Sequence, residues 1–446
     1  MSNKIFSPLY MFTDGRFKKN MSVAVSGDTI IKIGSSKDIK SEFPDYQEES
    51  GWSELVMLPG GVNVHNHSFQ SLLRGIACDR PFLEWRDKAL YKYSPVMTQK
   101  DIYTGALFSF GEMMKYGATA VSDFFYLHNY GLESDEMIIK AAKDLGIRLV
   151  LSRTMYDWNG APEGYRESVS TAVENTLTLH KKYISDPMVT IVPSPHSLHG
   201  ASADMICAGA ELAEKMNVNF HIHVAEEPFE VEQVMKEHNG MTTVEYLDSI
   251  GAINQRTVII HGVYLKDTEI ELLGRKKAKL AYCPSSNMFL ADGITDIPKM
   301  TESGVKIGLG TDGACSNNRN SVFEEMRMTA LLQKAKTCNA MCVDYRQAFD
   351  MGTKNGAEIL GLKSGVLAEN YKADFIGISC DELSMQPISE SGEQLLANIV
   401  YSMQPSAVNK VVVGGKETVS DGKLLNISEQ EIISKIKQTM KEIESR

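Results

Sequence analysis

Only ten histidines occur in the 446-residue chain, yet two His-x-His triplets stand among them: His65-Asn66-His67 and His221-Ile222-His223. Chance would supply roughly 0.2 such triplets in a chain of this composition, which lowers the false-positive risk attached to short motifs. In an extended strand, residues two apart share a face, so His65 and His67 project together, as imidazoles do when they converge on one metal ion. Further along stand Glu226 in His223-Val224-Ala225-Glu226, His261 in His261-Gly262, and Asp312 in Gly310-Thr311-Asp312-Gly313. Imidazoles and carboxylates suit zinc, with Fe2+ or another divalent transition metal as the alternative. Glu226 lies three residues past His223, far enough to leave a ligand position and lean over the site as a base.

The elements that must position these residues read as β/α units. From about residue 58, short apolar runs alternate with amphipathic stretches such as Ser134 to Leu145 and Thr242 to Ile250. The runs are Met57 to Val64, Ala118 to Phe124, Arg148 to Ser152, Thr190 to Val192, Val218 to Val224, Val258 to His261, Leu280 to Tyr282 and Lys306 to Gly310. Eight parallel strands predict a (β/α)8 TIM barrel over residues 58–365, a fold whose chemistry sits at the carboxyl ends of the strands. The histidines and Asp312 fall at such ends. Residues 1–57 read as hairpins, and Lys372 to Ile378 and Val408 to Gly414 read as further strands. Residues 1–57 and 366–446 are therefore expected to pair into a small composite β-sandwich domain, closed by a helix from about Ser428 to Glu444.

Several function classes are excluded at this level. Lys and Arg total 46 against 57 Asp and Glu, and a net charge of −11 opposes a phosphate backbone, so nucleic acid is not an expected partner. The seven cysteines form no C-x-x-C pair, which removes deaminases that hold zinc with one His and two Cys. The N-terminus carries no secretory signal pattern and no apolar run is long enough to span a bilayer. A cytoplasmic protein acting on a small molecule, with no membrane partner, is the expectation.

Pro59-Gly60-Gly61-Val62-Asn63-Val64-His65-Asn66-His67, His223-Val224-Ala225-Glu226, His261-Gly262 and Gly310-Thr311-Asp312-Gly313 together resemble the amidohydrolase superfamily. They are most similar to its branch of nucleobase and nucleoside deaminases, formiminoglutamate deiminases and triazine hydrolases. The resemblance implies His65, His67, His223 and Asp312 as metal ligands and Glu226, His261 and Asp312 as catalytic groups. It also implies a homodimer or larger homo-oligomer. Binuclear members take a carboxylated lysine from the fourth strand, but this chain reads Ile191-Val192-Pro193-Ser194-Pro195-His196 there, so one metal ion is expected. Such an ion lowers the pKa of water from about 15.7 toward about 7, supplying hydroxide at neutral pH.

The implied reaction is hydrolytic deamination of an aminated N-heterocycle, such as a purine, a pterin or an adenosine derivative. Gln70, Trp85, Tyr126 and His196 are the candidate substrate-binding residues, an aromatic wall with a few polar groups for a flat ring. His67-Ser68-Phe69-Gln70 and Pro195-His196-Ser197-Leu198 are also similar to formiminoglutamate deiminases, but His199 follows where those enzymes carry an arginine, and imidazole lacks the bidentate fork that grips a carboxylate. Two other readings are a triazine-type hydrolase expelling a different leaving group and a catalytically inactive barrel serving as an assembly protein. The latter would be marked by a missing ligand, and all six positions are filled.

Overall fold

The computed structural model describes residues 3–446. Eight parallel strands run through its middle: Gly61–Asn66, Ala118–Phe125, Arg148–Met155, Val189–Pro195, Phe220–Val224, Thr257–His261, Lys279–Tyr282 and Lys306–Leu309. Almost every residue in them is buried, as expected for strands covered on both faces. The first four form one sheet and the last four another, each in sequential order. Backbone contacts link the two sheets on both sides. The His223 amide donates to the His196 carbonyl at 3.0 Å, and the Asp312 amide donates to the His65 carbonyl at 3.0 Å. Both links lie at the carboxyl ends of the strands, among the candidate site residues.

The long first run expected over Met57 to Val64 is in fact two strands. Leu55–Pro59 pairs antiparallel with Phe375–Ser379, and Gly61–Asn66 pairs parallel with Ala118–Phe125. The break falls at Gly60, where a Cβ would lie 2.2 Å from the Thr119 side chain, so only glycine allows the chain to cross there. An unbroken apolar run hides such a change of partner.

Both ends of the chain contribute to two further sheets. A seven-stranded sheet joins Tyr10–Thr13, Arg16–Lys18 and Leu55–Pro59 to Phe375–Ser379, Val408–Val413, Lys416–Ser420 and Lys423–Leu424. A four-stranded sheet holds Thr29–Ser35, Met21–Ser26, Asn3–Phe6 and Gln47–Glu48. Phe6, Trp52 and Phe375 meet edge to face at centroid distances of 5.0–5.5 Å, in one apolar cluster with Val25, Met57 and Val412. Asp374 ties this region to the third parallel strand through a bidentate pair with buried Arg148, at 2.9 Å for both contacts. The last helix spans Glu429–Glu444, and Ser428 caps it by accepting from the Glu431 amide. No helix among the described residues is long and apolar enough to cross a membrane.

Candidate active site

The His-x-His strand ends by delivering both imidazoles inward. His67 Nδ1 lies 2.6 Å from the Phe124 carbonyl, and His223 Nδ1 lies 2.9 Å from the His196 carbonyl. A carbonyl only accepts, so each Nδ1 carries the proton and each Nε2 presents a lone pair. Those lone pairs point at one another and at a carboxylate. His65 Nε2 is 3.3 Å from His223 Nε2, and Asp312 Oδ1 is 3.3 Å from His65 Nε2 and 3.2 Å from His67 Nε2. The ligand atoms of His65, His67 and His223 all fall within 4.8 Å of each other, as do those of Glu226, His261 and Asp312.

Electrostatics favour a cation at this point. Burial pulls His65 down to about 4 and His261 to about 3, and holds His223 well below its ordinary value, so these rings are neutral. Burial alone would raise Asp312, yet the imidazoles of His65 and His67 beside it hold its carboxyl well below the usual range. Neutral imidazoles and an ionised carboxylate thus face each other at close range. This donor set of neutral imidazoles and one carboxylate fits a divalent transition metal.

Beside the cluster, His261 Nε2 stands 3.2 Å from Glu226 Oε1. Asn287 Nδ2 donates to His261 Nδ1 at 3.1 Å, which leaves the ring proton on Nε2, facing Glu226. Burial, followed by the nearby charges of Asp292, Glu230 and Asp312, lifts Glu226 well above an ordinary carboxylate. A buried carboxyl of raised pKa can receive a proton and return it. Ala225, His261 and Asp312 all take left-handed backbone, with φ of 51°, 68° and 58°. Strain of this kind is concentrated where a strand end must aim a side chain.

Spacing alone did not identify the residues that hold Asp312. Ser286 Oγ donates to Asp312 Oδ2 at 2.5 Å and Ser316 Oγ donates to the same oxygen at 3.0 Å. Behind them, buried Glu325 accepts from the Ser285 amide at 3.1 Å and from Asn317 Nδ2 at 3.0 Å, tying down the neighbours of both serines. On the other flank Asp123 accepts from the Ser68 amide and hydroxyl, each at 2.7 Å, and from Asn66 Nδ2 at 2.8 Å. That carboxylate fixes the turn on which His67 sits.

Gln70, Trp85, Tyr126 and His196 line the same cleft as His67, Glu226, His261 and Asp312. Gln70 Nε2 donates to the Tyr126 hydroxyl at 3.0 Å, and Cys315 Sγ donates to Gln70 Oε1 at 3.1 Å. Gly313 is what admits Gln70 here, since a Cβ at that position would fall 1.7 Å from Gln70 Oε1. The Trp85 indole N–H is committed to the Cys315 carbonyl at 2.9 Å. His196 Nδ1 engages the Ser197 hydroxyl at 2.8 Å. His199 also lines the cleft and places Nδ1 3.1 Å from Glu230 Oε1. Among the described residues, no Lys or Arg lines it.

Residues 56–418 match the Amidohydrolase family model, and the chain belongs to that family. A 5'-deoxyadenosine deaminase of Methanococcus maripaludis is 34% identical over 415 residues, covering 93% of this chain and 94% of the relative. A 5-methylthioadenosine/S-adenosylhomocysteine deaminase of Syntrophomonas wolfei is 34% identical over 422 residues, covering 93% of each. Among solved structures, an adenosine deaminase of Xanthomonas campestris with bound zinc superposes with a TM-score of 0.92 at 23% identity, covering 100% of this chain and 99% of that one. An atrazine chlorohydrolase of Arthrobacter aurescens complexed with zinc gives a TM-score of 0.89 at 21% identity, covering 98% and 100%.

Proposed function

We propose that this amidohydrolase is a metal-dependent hydrolytic deaminase that releases ammonia from an aminated N-heterocycle, with adenosine derivatives as its leading substrates. The observation that carries this reading is the gathering of His65, His67 and His223 at one point, with His65 and His67 against Asp312 and His223 against His65, beside the Glu226–His261 pair. His65, His67, His223 and Asp312 would hold a single divalent ion, most simply zinc, with Fe2+ as the alternative. That ion would lower the pKa of a water toward about 7.

The chain's own groups account for the proton movements. Glu226 takes the first proton from the water and delivers it to the ring nitrogen, which makes the neighbouring carbon electrophilic. His261 donates from Nε2 toward the attacking oxygen. Asp312 Oδ1 accepts the remaining proton, while Ser286 and Ser316 keep Oδ2 occupied. That proton passes on to the amino nitrogen of the tetrahedral adduct, the C–N bond breaks and ammonia leaves. Gln70, Trp85, Tyr126 and His196 would form the wall against which the ring lies. An uncharged heterocycle suits this wall better than a formimino acid, because no Lys or Arg among the described residues lines it to receive a carboxylate.

In the same reading the two four-stranded parallel sheets close into one (β/α)8 barrel over residues 58–365. Residues 1–57 and 366–446 make the composite β-sandwich beside it. The enzyme would work in the cytoplasm as a homodimer or larger homo-oligomer. The deciding experiment incubates metal-assayed enzyme with 5'-deoxyadenosine, methylthioadenosine, adenosine, aminopurines, pterins, triazines and formiminoglutamate, and reads ammonia. Release from an adenosine derivative, abolished in Glu226→Gln, is the expected result. Ammonia from none of them above that variant's background would refute the proposal.

A further inference from the structure

The opposite end of the strand set carries a second concavity. A cleft of about 630 Å³ lies where the last four parallel strands begin, a volume within the ~300–1,000 Å³ of small-molecule pockets. Arg256, Lys277, Lys279 and Lys306 line it, and Glu358 is the single carboxylate among the lining residues. Four cations against one acid make a local excess of three positive charges on a chain whose net charge is −11.

Neutral groups, not acids, hold the two central cations. Lys279 Nζ donates to Asn219 Oδ1 at 2.9 Å and to the Gln255 carbonyl at 2.6 Å, which leaves one of its three donors unspent. Arg256 donates to Asn217 Oδ1 at 2.7 Å and to the Val218 carbonyl at 3.3 Å. Lys306 alone has an acidic partner, Glu358. The heads are therefore braced from the protein side while their charge stays uncompensated. Burial, together with the charges of Arg256 and Lys306, brings the Lys279 amine down to about 8, the direction expected of crowded like charges.

We propose that this cleft binds a small, multiply charged anion carrying phosphate groups, at the end of the strands remote from the histidines. Arg with Lys is the donor combination suited to such groups, the guanidinium by its planar fork and the ammonium as a point charge. The proposal does not rest on the reaction assigned to the other end.

Isothermal titration of the full-length metal-loaded enzyme with inorganic phosphate, pyrophosphate, tripolyphosphate and ADP tests it. Saturable binding of one anion per chain at low ionic strength is expected, weakening as salt is added. Arg256→Gln with Lys279→Met should weaken it at least tenfold. Lys279→Gln alone provides a milder variant should the pair fail to fold. Glu358→Gln should tighten binding by removing the one opposing charge. ADP binding more tightly than pyrophosphate would assign the site to a nucleotide, and equal affinities would assign it to the phosphate chain. No saturable binding at low salt, or affinity unchanged in both the double and the single variant, would overturn the proposal.

Discussion

His67 and Gln70 leave the first parallel strand within four residues of each other and reach the same cleft, but they arrive in opposite states. His67 has its Nδ1 tied to the Phe124 carbonyl, and its Nε2 lone pair is aimed at the Asp312 carboxylate with no donor between. Gln70 has both ends of its amide engaged, by Tyr126 and Cys315. The contrast extends to their neighbours. The histidine–aspartate centre brings imidazole nitrogens and a carboxylate face to face, whereas Trp85, Tyr126 and Gln70 spend their polar atoms on one another and on Cys315. One region is built for a strong attraction at a point. The other offers ring faces and shape, and a planar heterocycle needs such a surface more than it needs further hydrogen bonds.

If the centre carries the chemistry, disturbing it should produce the largest losses. Glu226→Gln keeps the size of the side chain but cannot shuttle a proton, and kcat should fall by about 10²- to 10⁴-fold with metal content retained. Steady-state ammonia release with parallel metal analysis checks this. Asp312→Asn removes the one carboxylate from the proposed ligand set, so both metal stoichiometry and activity should fall. A chelator applied to the wild type should lower its Tm, because an ion bound only by the folded chain stabilises it by linkage. A metal-free protein that melts no lower would mean that the facing lone pairs are satisfied in some other way.

The centre was legible in the sequence because its rules are local. Period-two spacing puts His65 and His67 on one face, and His223, His261 and Asp312 each close an apolar run, which marks a strand's carboxyl end. Gln70, Trp85, Tyr126 and His196, singled out in the sequence, line one cleft, but their hydrogen bonding was not legible there. The Trp85 indole reaches a carbonyl 230 positions away, and no periodicity encodes that meeting. The change of sheet at Gly60 was missed because apolar residues flank it on both sides. Ser286, Ser316 and Glu325 escaped assignment for a similar reason, since their function is defined by Asp312 and by each other.

Those supporting residues give the next prediction in size. Glu325 anchors the Ser285 amide and the Asn317 side chain, whose neighbours hold Asp312 Oδ2. Outer partners of metal ligands commonly contribute about 10- to 100-fold to affinity or activity. Glu325→Gln places an amide N–H against a donor, so a kcat loss in that range is expected, with KM little changed. Its effect should be less than additive with Ser316→Ala, since both act through one carboxylate. Stability adds a signature with a definite sign. Burial lifts Glu325 from 4.5 to about 8, so between those values the folded chain retains a proton that the unfolded chain releases. Wild-type stability should therefore fall as pH rises through that window, and Glu325→Gln should remove this group's share of the decline, as denaturant titrations at several pH values would reveal.

The smallest effect belongs to the wall, and it is the one that separates shape from hydrogen bonding. Tyr126→Phe keeps the ring, which packs 5.2 Å from His67 and 5.7 Å from His196, and deletes only the hydroxyl that accepts from Gln70. A lost hydrogen bond of this kind is worth about 1 kcal/mol. If the wall works by ring contact, KM should rise no more than about fivefold and kcat should hold. Tyr126→Ala removes the face itself and should raise KM further, while leaving the metal content intact. A Tyr126→Phe enzyme as impaired as Tyr126→Ala would show that the hydroxyl itself contacts the substrate, and the contrast drawn between an unsatisfied centre and a self-satisfied wall would fail at that residue.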